Sequence, residues 1–169
     1  DLSVSEGNKY YIRNITWVGN SVYPTSDLQR MFGVKSGDTY DKKTINKRLG
    51  YGKEDNPEDM SIKSLYQNEG YLMSQIEPAE IIIGADSIDM EMKIFEGKQF
   101  SINNVGISGN MRVNDEVIRR ELYTLPGELY NRALLMQTIR QLAGMGHFDQ
   151  EKIMPDIKPV SNELVDINW

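Results

Sequence analysis

Two stretches of this chain are written alike. Glu6-Gly7-Asn8-Lys9-Tyr10 is answered by Glu96-Gly97-Lys98-Gln99-Phe100, and Gly19-Asn20 by Gly109-Asn110. Ile12, Asn14 and Ile15 match Ile102, Asn104 and Val105, while Leu28 and Arg30 match Ile118 and Arg120. Gly37 matches Gly127, Tyr40 matches Tyr130 and Asp41 matches Asn131, every pair standing 90 positions apart. A fixed period of this kind means one supersecondary unit written more than once, so tandem small modules are expected in place of one large core. Further on, Gly70-Tyr71 pairs with Gly146-His147 at a separation of 76. The first copy therefore carries 14 extra residues (90 − 76) between Leu49 and Ser61, in a polar, turn-rich stretch suited to an inserted loop. The repeat predicts the divisions: residues 1–7 as the tail of a preceding module, 8–97 as module one, 98–169 as module two. In the closing strands, Val165 to Trp169 is matched with Met90 to Ile94.

Within each copy the pattern reads β-α-α-β-β. Tyr10 to Val18 and Phe100 to Ser108 are rich in aromatic and β-branched residues and end at Gly-Asn turns. A short helix follows, opened by Pro24-Thr25-Ser26-Asp27 in one copy and by Asn114-Asp115-Glu116 in the other, the acids facing the positive helix end. A second helix starts at Asp41 or Asn131, both competent caps. In copy two its apolar face is Leu134, Leu135, Ile139, Leu142 and Ala143. In copy one it is interrupted by the insertion and resumes with Ile62, Leu65 and Tyr66. Two strands close each copy, near 74–83 and 88–95, then 152–160 and 164–169. Pro155 and Pro159 stand four apart in one of these. Alternate N–H groups of a strand point the same way, so both missing donors fall on one side and the strand is expected at a sheet edge.

Composition narrows the function classes. With 39% apolar residues in 169, the chain can bury two small cores. No apolar run approaches the ~20 residues of a membrane-spanning helix, and Ile81-Ile82-Ile83 reads as a piece of strand. A net charge of −6 with scattered Lys and Arg disfavours nucleic acid as partner. Zero cysteines exclude disulfides and thiolate metal sites.

Tandem βααββ modules with these motifs in this order resemble POTRA domains, in particular those of BamA-family outer-membrane protein assembly factors. The residues that carry the resemblance are Val105 to Asn110, Val117 to Leu122, Gly127 to Tyr130, Leu142 to Phe148 and Phe95-Glu96-Gly97. It implies an α+β fold of two modules, each a three-stranded mixed sheet covered on one face by two helices. It further implies a periplasmic arm of an outer-membrane protein, attached to a C-terminal β-barrel, with unfolded outer-membrane proteins and accessory lipoproteins as partners. No cofactor and no catalytic residue is expected. The alternative is the similar arm of a two-partner secretion or translocation pore with one dedicated substrate.

The candidate partner-binding segment is the strand margin Ala79, Glu80, Ile81, Ile82 and Ile83, whose N–H groups escape the proline blockade of copy two. Copy one is therefore expected to accept an added strand more readily than copy two. Glu96, Gly97 and Lys98 are the expected hinge between modules, too short for free swing. Other candidates are weaker. The acidic group Glu54, Asp55, Glu58 and Asp59 lacks the alternating ligands and fixed glycine of a calcium loop. His147 is the sole histidine, aligns with Tyr71 and is expected to pack as an aromatic. A hydrolase or sugar-binding module would need a cleft with convergent acids or aromatics; Asp86 and Asp89 lie near one another, but in a repeat-defined turn and strand.

Overall fold

The structure is a computed structural model describing residues 9–52, 60–111, 113–149 and 153–169. It is α+β and repeats one arrangement twice. The first copy runs β1 (Tyr11–Val18), α1 (Thr25–Phe32), α2 (Lys42–Leu49), α3 (Ile62–Asn68), β2 (Gln75–Ile83) and β3 (Ser87–Phe95). The second runs β4 (Ser101–Gly106), α4 (Asp115–Arg120), α5 (Arg132–Gly144), β5 (Asp156–Pro159) and β6 (Leu164–Asn168). Each copy forms a three-stranded sheet, ordered β1-β3-β2 and β4-β6-β5, with the outer pairs parallel (β1 with β3, β4 with β6) and the hairpin pairs antiparallel. By compactness the chain divides into two units. Of the described residues, one unit comprises those up to Lys63 with Ser74–Glu96, the other those of Ser64–Met73 and Gly97–Trp169.

The local signals act where the sequence places them. Asp41 caps α2 by accepting from the Lys43 N–H at 3.0 Å, and Asn131 caps α5 by accepting from the Leu134 N–H at 3.1 Å. Each satisfies an orphan donor of a first helical turn. The Asp41 carboxyl is held below its ordinary pKa, first by the Thr44 hydroxyl and then by the Lys43 N–H. The insertion cuts the second helix in half. Where α5 is continuous over 13 residues, α2 stops at Gly50, whose left-handed φ of 100° only glycine adopts freely, and α3 resumes at Ile62. Of the insertion, residues 53–59, including Glu54, Asp55, Glu58 and Asp59, lie outside the described residues.

In the first unit the β3 side chains Ile88, Met90, Met92 and Ile94 are buried, alternating with the outward Asp89, Glu91 and Lys93. Period-two alternation of this kind is what a sheet covered on one face requires. Leu28 and Phe32 of α1 and Ile45 and Leu49 of α2 are buried too. Trp17 meets Phe32 edge-to-face at 5.5 Å and gives its indole N–H to Gln29 Oε1 at 2.9 Å. The second unit gathers Phe100, Ile102, Val105, Ile118, Leu122, Tyr130, Leu135, Leu142, Val165 and Ile167 into one core, with Leu72 packed against it. There Thr138, fully buried on α5, accepts the Tyr123 N–H and donates to the Leu134 carbonyl, so its hydroxyl is satisfied.

The paired strands correct one sequence match. A one-residue bulge interrupts β1 at Arg13 and β4 at Asn103, the same place in both copies. Each bulged side chain binds an aspartate across the sheet, Arg13 to Asp89 and Asn103 to Asp166. Ile12 pairs with Ile88 and Ile102 with Val165, and likewise Ile15 with Met90 and Val105 with Ile167. Val165 is thus the counterpart of Ile88, not of Met90, and Trp169 that of Met92. A slip of two residues keeps every side chain on its face, so alternation alone cannot detect it.

Candidate functional site

A three-stranded sheet has two edges, and unpaired edges either are covered or stay available for pairing. In the first unit β1 is covered at its start by the link before α2. Ile12 N–H donates to the Asp38 carbonyl at 2.9 Å, Gly37 N–H to the Ile12 carbonyl at 2.7 Å, and Tyr40 N–H to the Tyr10 carbonyl at 2.8 Å. The bulge follows immediately, and the Ser36 hydroxyl donates to the Arg13 carbonyl at 2.6 Å. The other margin is β2.

Which β2 groups face outward follows from one hydrogen bond. Ile76 N–H donates to the Tyr51 hydroxyl at 2.9 Å, so it points away from β3. In an antiparallel strand alternate residues share a direction, which places Ile76, Pro78, Glu80 and Ile82 outward. Gln75, Glu77, Ala79, Ile81 and Ile83 face β3, each directly opposite a β3 residue. Of the five candidate residues Ala79, Glu80, Ile81, Ile82 and Ile83, therefore, two present both an N–H and a carbonyl outward, Glu80 and Ile82. Among the described residues neither backbone makes an outward hydrogen bond. Pro78 offers a carbonyl alone.

The side chains of the margin divide by face. Glu80 and Ile82 stand opposite Met90 and Ile88, on the helix-covered side. Glu80 Oε1 accepts the Tyr40 hydroxyl at 2.6 Å, and that tyrosine's pKa is raised, first by burial and then by the carboxylate. Ile82 lies beyond the cover and is 61% exposed. Ala79, Ile81 and Ile83 lie on the bare face, Ile81 being 52% exposed. Ile81 and Ile82 thus put two large apolar side chains on the surface of this margin, one on each face of the strand.

The second copy closes the same margin. Val160 N–H returns to the Leu164 carbonyl at 2.9 Å, so Asp156 and Lys158 face β6 while Ile157 and Pro159 face outward. Pro159 thus lies on the free edge of β5, while Pro155 stands just before the strand begins at Asp156 and is not part of it; Ile157 keeps an outward N–H. Ile76-Glu77-Pro78 and Ile153-Met154-Pro155 are counterparts, so what distinguishes the copies is Pro159 where the first has Ile82.

The remaining candidates fall into place. Glu96 belongs to the first unit, where its carboxylate accepts the N–H groups of Ser21 and Val22 at 2.7 and 2.9 Å. Gly97 follows at a φ of 72°, and Lys98 pairs with Glu163 at 2.6 Å in the second unit. His147 is exposed at a cleft of about 540 Å3 in the second unit, and is not the packed aromatic expected of it. That cleft is lined by Ile107, Met111, Phe148, Ile153, Met154 and Trp169, with Asp149 the one carboxylate among its described residues. Asp89 is engaged by Arg13 and does not pair with Asp86. No three potential ligands converge among the described residues, and none of their helices is long and apolar enough to cross a membrane.

The sequence model of the POTRA family, described as a surface antigen variable number repeat, matches residues 10–97 and again 100–168. The chain belongs to the POTRA family. Its two modules are similar, over 98% of the chain at 25% identity, to a protein of Treponema pallidum described as a putative outer membrane protein assembly factor. They are similar, over 99% at 24% identity, to the outer membrane protein assembly factor BamA of Neisseria meningitidis serogroup B. The chain spans 18% and 20% of the lengths of these relatives. A crystal structure of Haemophilus influenzae BamA POTRA3-5 superposes with a TM-score of 0.78 at 20% identity, covering 94% of this chain and 59% of that one. These are POTRA modules of the BamA kind, which lie on the periplasmic side of the outer membrane.

Proposed function

We propose that this pair of modules is the polypeptide-binding arm of an outer-membrane β-barrel assembly factor. It accepts an extended segment of an unfolded outer-membrane protein as an added strand on β2. It guides that client toward a C-terminal barrel, recruits accessory lipoproteins, catalyses no reaction and needs no cofactor. The observation that carries the reading is the outward, unbonded backbone of Glu80 and Ile82 on a margin whose neighbours are exposed isoleucines. Backbone pairing gives affinity that tolerates many sequences, as a factor with many clients requires. The likeness to proteins named as outer membrane protein assembly factors supports the same reading. The short link at Glu96, Gly97 and Lys98 serves as a restricted hinge, which small-angle scattering of the chain tests by the width of its distance distribution.

The decisive experiment is an NMR titration of the isotope-labelled 169-residue chain with short extended peptides. Amide shifts concentrated at Ala79–Ile83, with Asp156–Pro159 spared, are the expected result. Shifts that appear in the second copy and leave the first untouched would overturn the proposal.

A further inference from the structure

The inserted stretch does more than lengthen a helix connection. We infer that Tyr51 is a register stop on β2: it confines an added strand to Pro78–Ile83 and so selects a short alternating segment. That segment is apolar toward Ala79, Ile81 and Ile83, and carries a cation or hydrogen-bond donor toward Glu80. The inference rests on the edge-pairing reading above and adds which part of the margin works, and for what kind of client.

Tyr51 is held in place from three directions. Gly50 turns the chain out of α2, the Tyr51 N–H returns to the Asn46 carbonyl at 2.8 Å, and Lys63 Nζ lies 4.9 Å over its ring. Its hydroxyl then meets the outward Ile76 N–H, so a strand pairing there must first displace it. Pro78 supplies no donor. Together they close the first half of a nine-residue strand. In the second copy α5 runs through the corresponding place, so this stop belongs to the first copy alone.

Downstream, an antiparallel guest can make two complete residue pairs, with Glu80 and Ile82, and one further bond to the Pro78 carbonyl. Guest residues opposite Glu80 and Ile82 project to the helix side. The Tyr40 hydroxyl occupies Oε1 of Glu80 there, and its other oxygen is left to receive a donor from the guest. Guest residues opposite Ala79, Ile81 and Ile83 form the closer, non-hydrogen-bonded pairs on the bare face, where apolar side chains pack. The required guest therefore alternates apolar with polar or basic residues.

The test uses the labelled 169-residue chain, wild type and Tyr51→Phe, and an eight-residue peptide alternating Val with Lys. Tyr51→Phe keeps the ring over which Lys63 sits and deletes only the hydroxyl. In the wild type, shifts are expected from Ala79 to Gly84 with the Ile76 amide unmoved; in Tyr51→Phe they extend to Ile76. Replacing Lys by Glu in the peptide weakens binding about fivefold, the scale of one cross-strand charge pair, and Glu80→Gln abolishes that preference. A wild-type footprint that already includes Ile76, an identical footprint in the variant, or a Lys preference that survives Glu80→Gln overturns the inference and leaves the edge reading standing. Silence at both Glu80 and Ile82 in either protein overturns both. The wild-type footprint alone decides the register should the variant fail to fold.

Discussion

Replacing Gly19 and Gly37 by alanine, one at a time, tests the fold within a single unit. Both belong to the first unit and both adopt left-handed backbone, with φ of 88° and 92°. An alanine in that region is strained by about 1 kcal/mol at either site. The surroundings then differ. A Cβ on Gly19 would lie 2.2 Å from the Ile94 carbonyl oxygen, a backbone atom that cannot rotate away, whereas one on Gly37 meets nothing within 4 Å. Relieving the first contact means moving β1 off β3, at roughly 2 kcal/mol more. Gly37→Ala should thus lower the melting temperature of the unit by about 5 °C, and Gly19→Ala by about 15 °C. Hydrogen exchange of the β3 amides reads both variants. Equal losses, or a larger loss at Gly37, would refute the close approach of Gly19 to β3.

Three further outcomes are expected. Asn131→Ala removes the side-chain acceptor of the Leu134 N–H and should destabilise the second unit by about 1 kcal/mol in urea unfolding. At Asp41 the sign of the pH dependence is set by a lowered carboxyl pKa. Its contribution is present above the ordinary carboxylate pKa and lost as the pH falls through the folded value, so the gap between wild type and Asp41→Ala should close in acid, seen by thermal melts across pH. Pro159→Ile restores an outward N–H beside that of Ile157. Peptide titrations should then show amide shifts along β5, absent from the unmodified chain, if missing donors are what close that margin.

Much of this architecture is legible in the residues because its signals are local. Asp41 and Asn131 cap helices where caps were expected, and the break at Leu49 with resumption at Ile62 follows from the change in repeat spacing. Pro159 falls on the free side of β5 because side-to-side alternation holds in any strand, whereas Pro155 lies just before it: the spacing fixed a shared side but not where the strand would begin. What stayed hidden depends on partners distant in sequence. The match of Val165 slipped by two because alternation looks the same after such a slip, and only the pairing with Ile102 fixes it. Which of Ala79 to Ile83 turn outward depends on β3, and Tyr51 gave no sign of reaching Ile76, 25 positions away. Thr138 was passed over on α5 because a hydroxyl reads as surface; its two hydrogen bonds are what admit it to the core.

A ledge that offers so few rungs has a ceiling on its grip. Two complete pairs and a lone carbonyl hold a guest weakly, since even a whole isolated hairpin is only marginally stable in water. On the edge-pairing proposal, a guest held by so few bonds would have a short residence. The Tyr51 hydroxyl on Ile76 and the missing donor of Pro78 also shorten the length over which a second copy of the chain could zip alongside β2, a guard against edge-to-edge pairing built into the same strand.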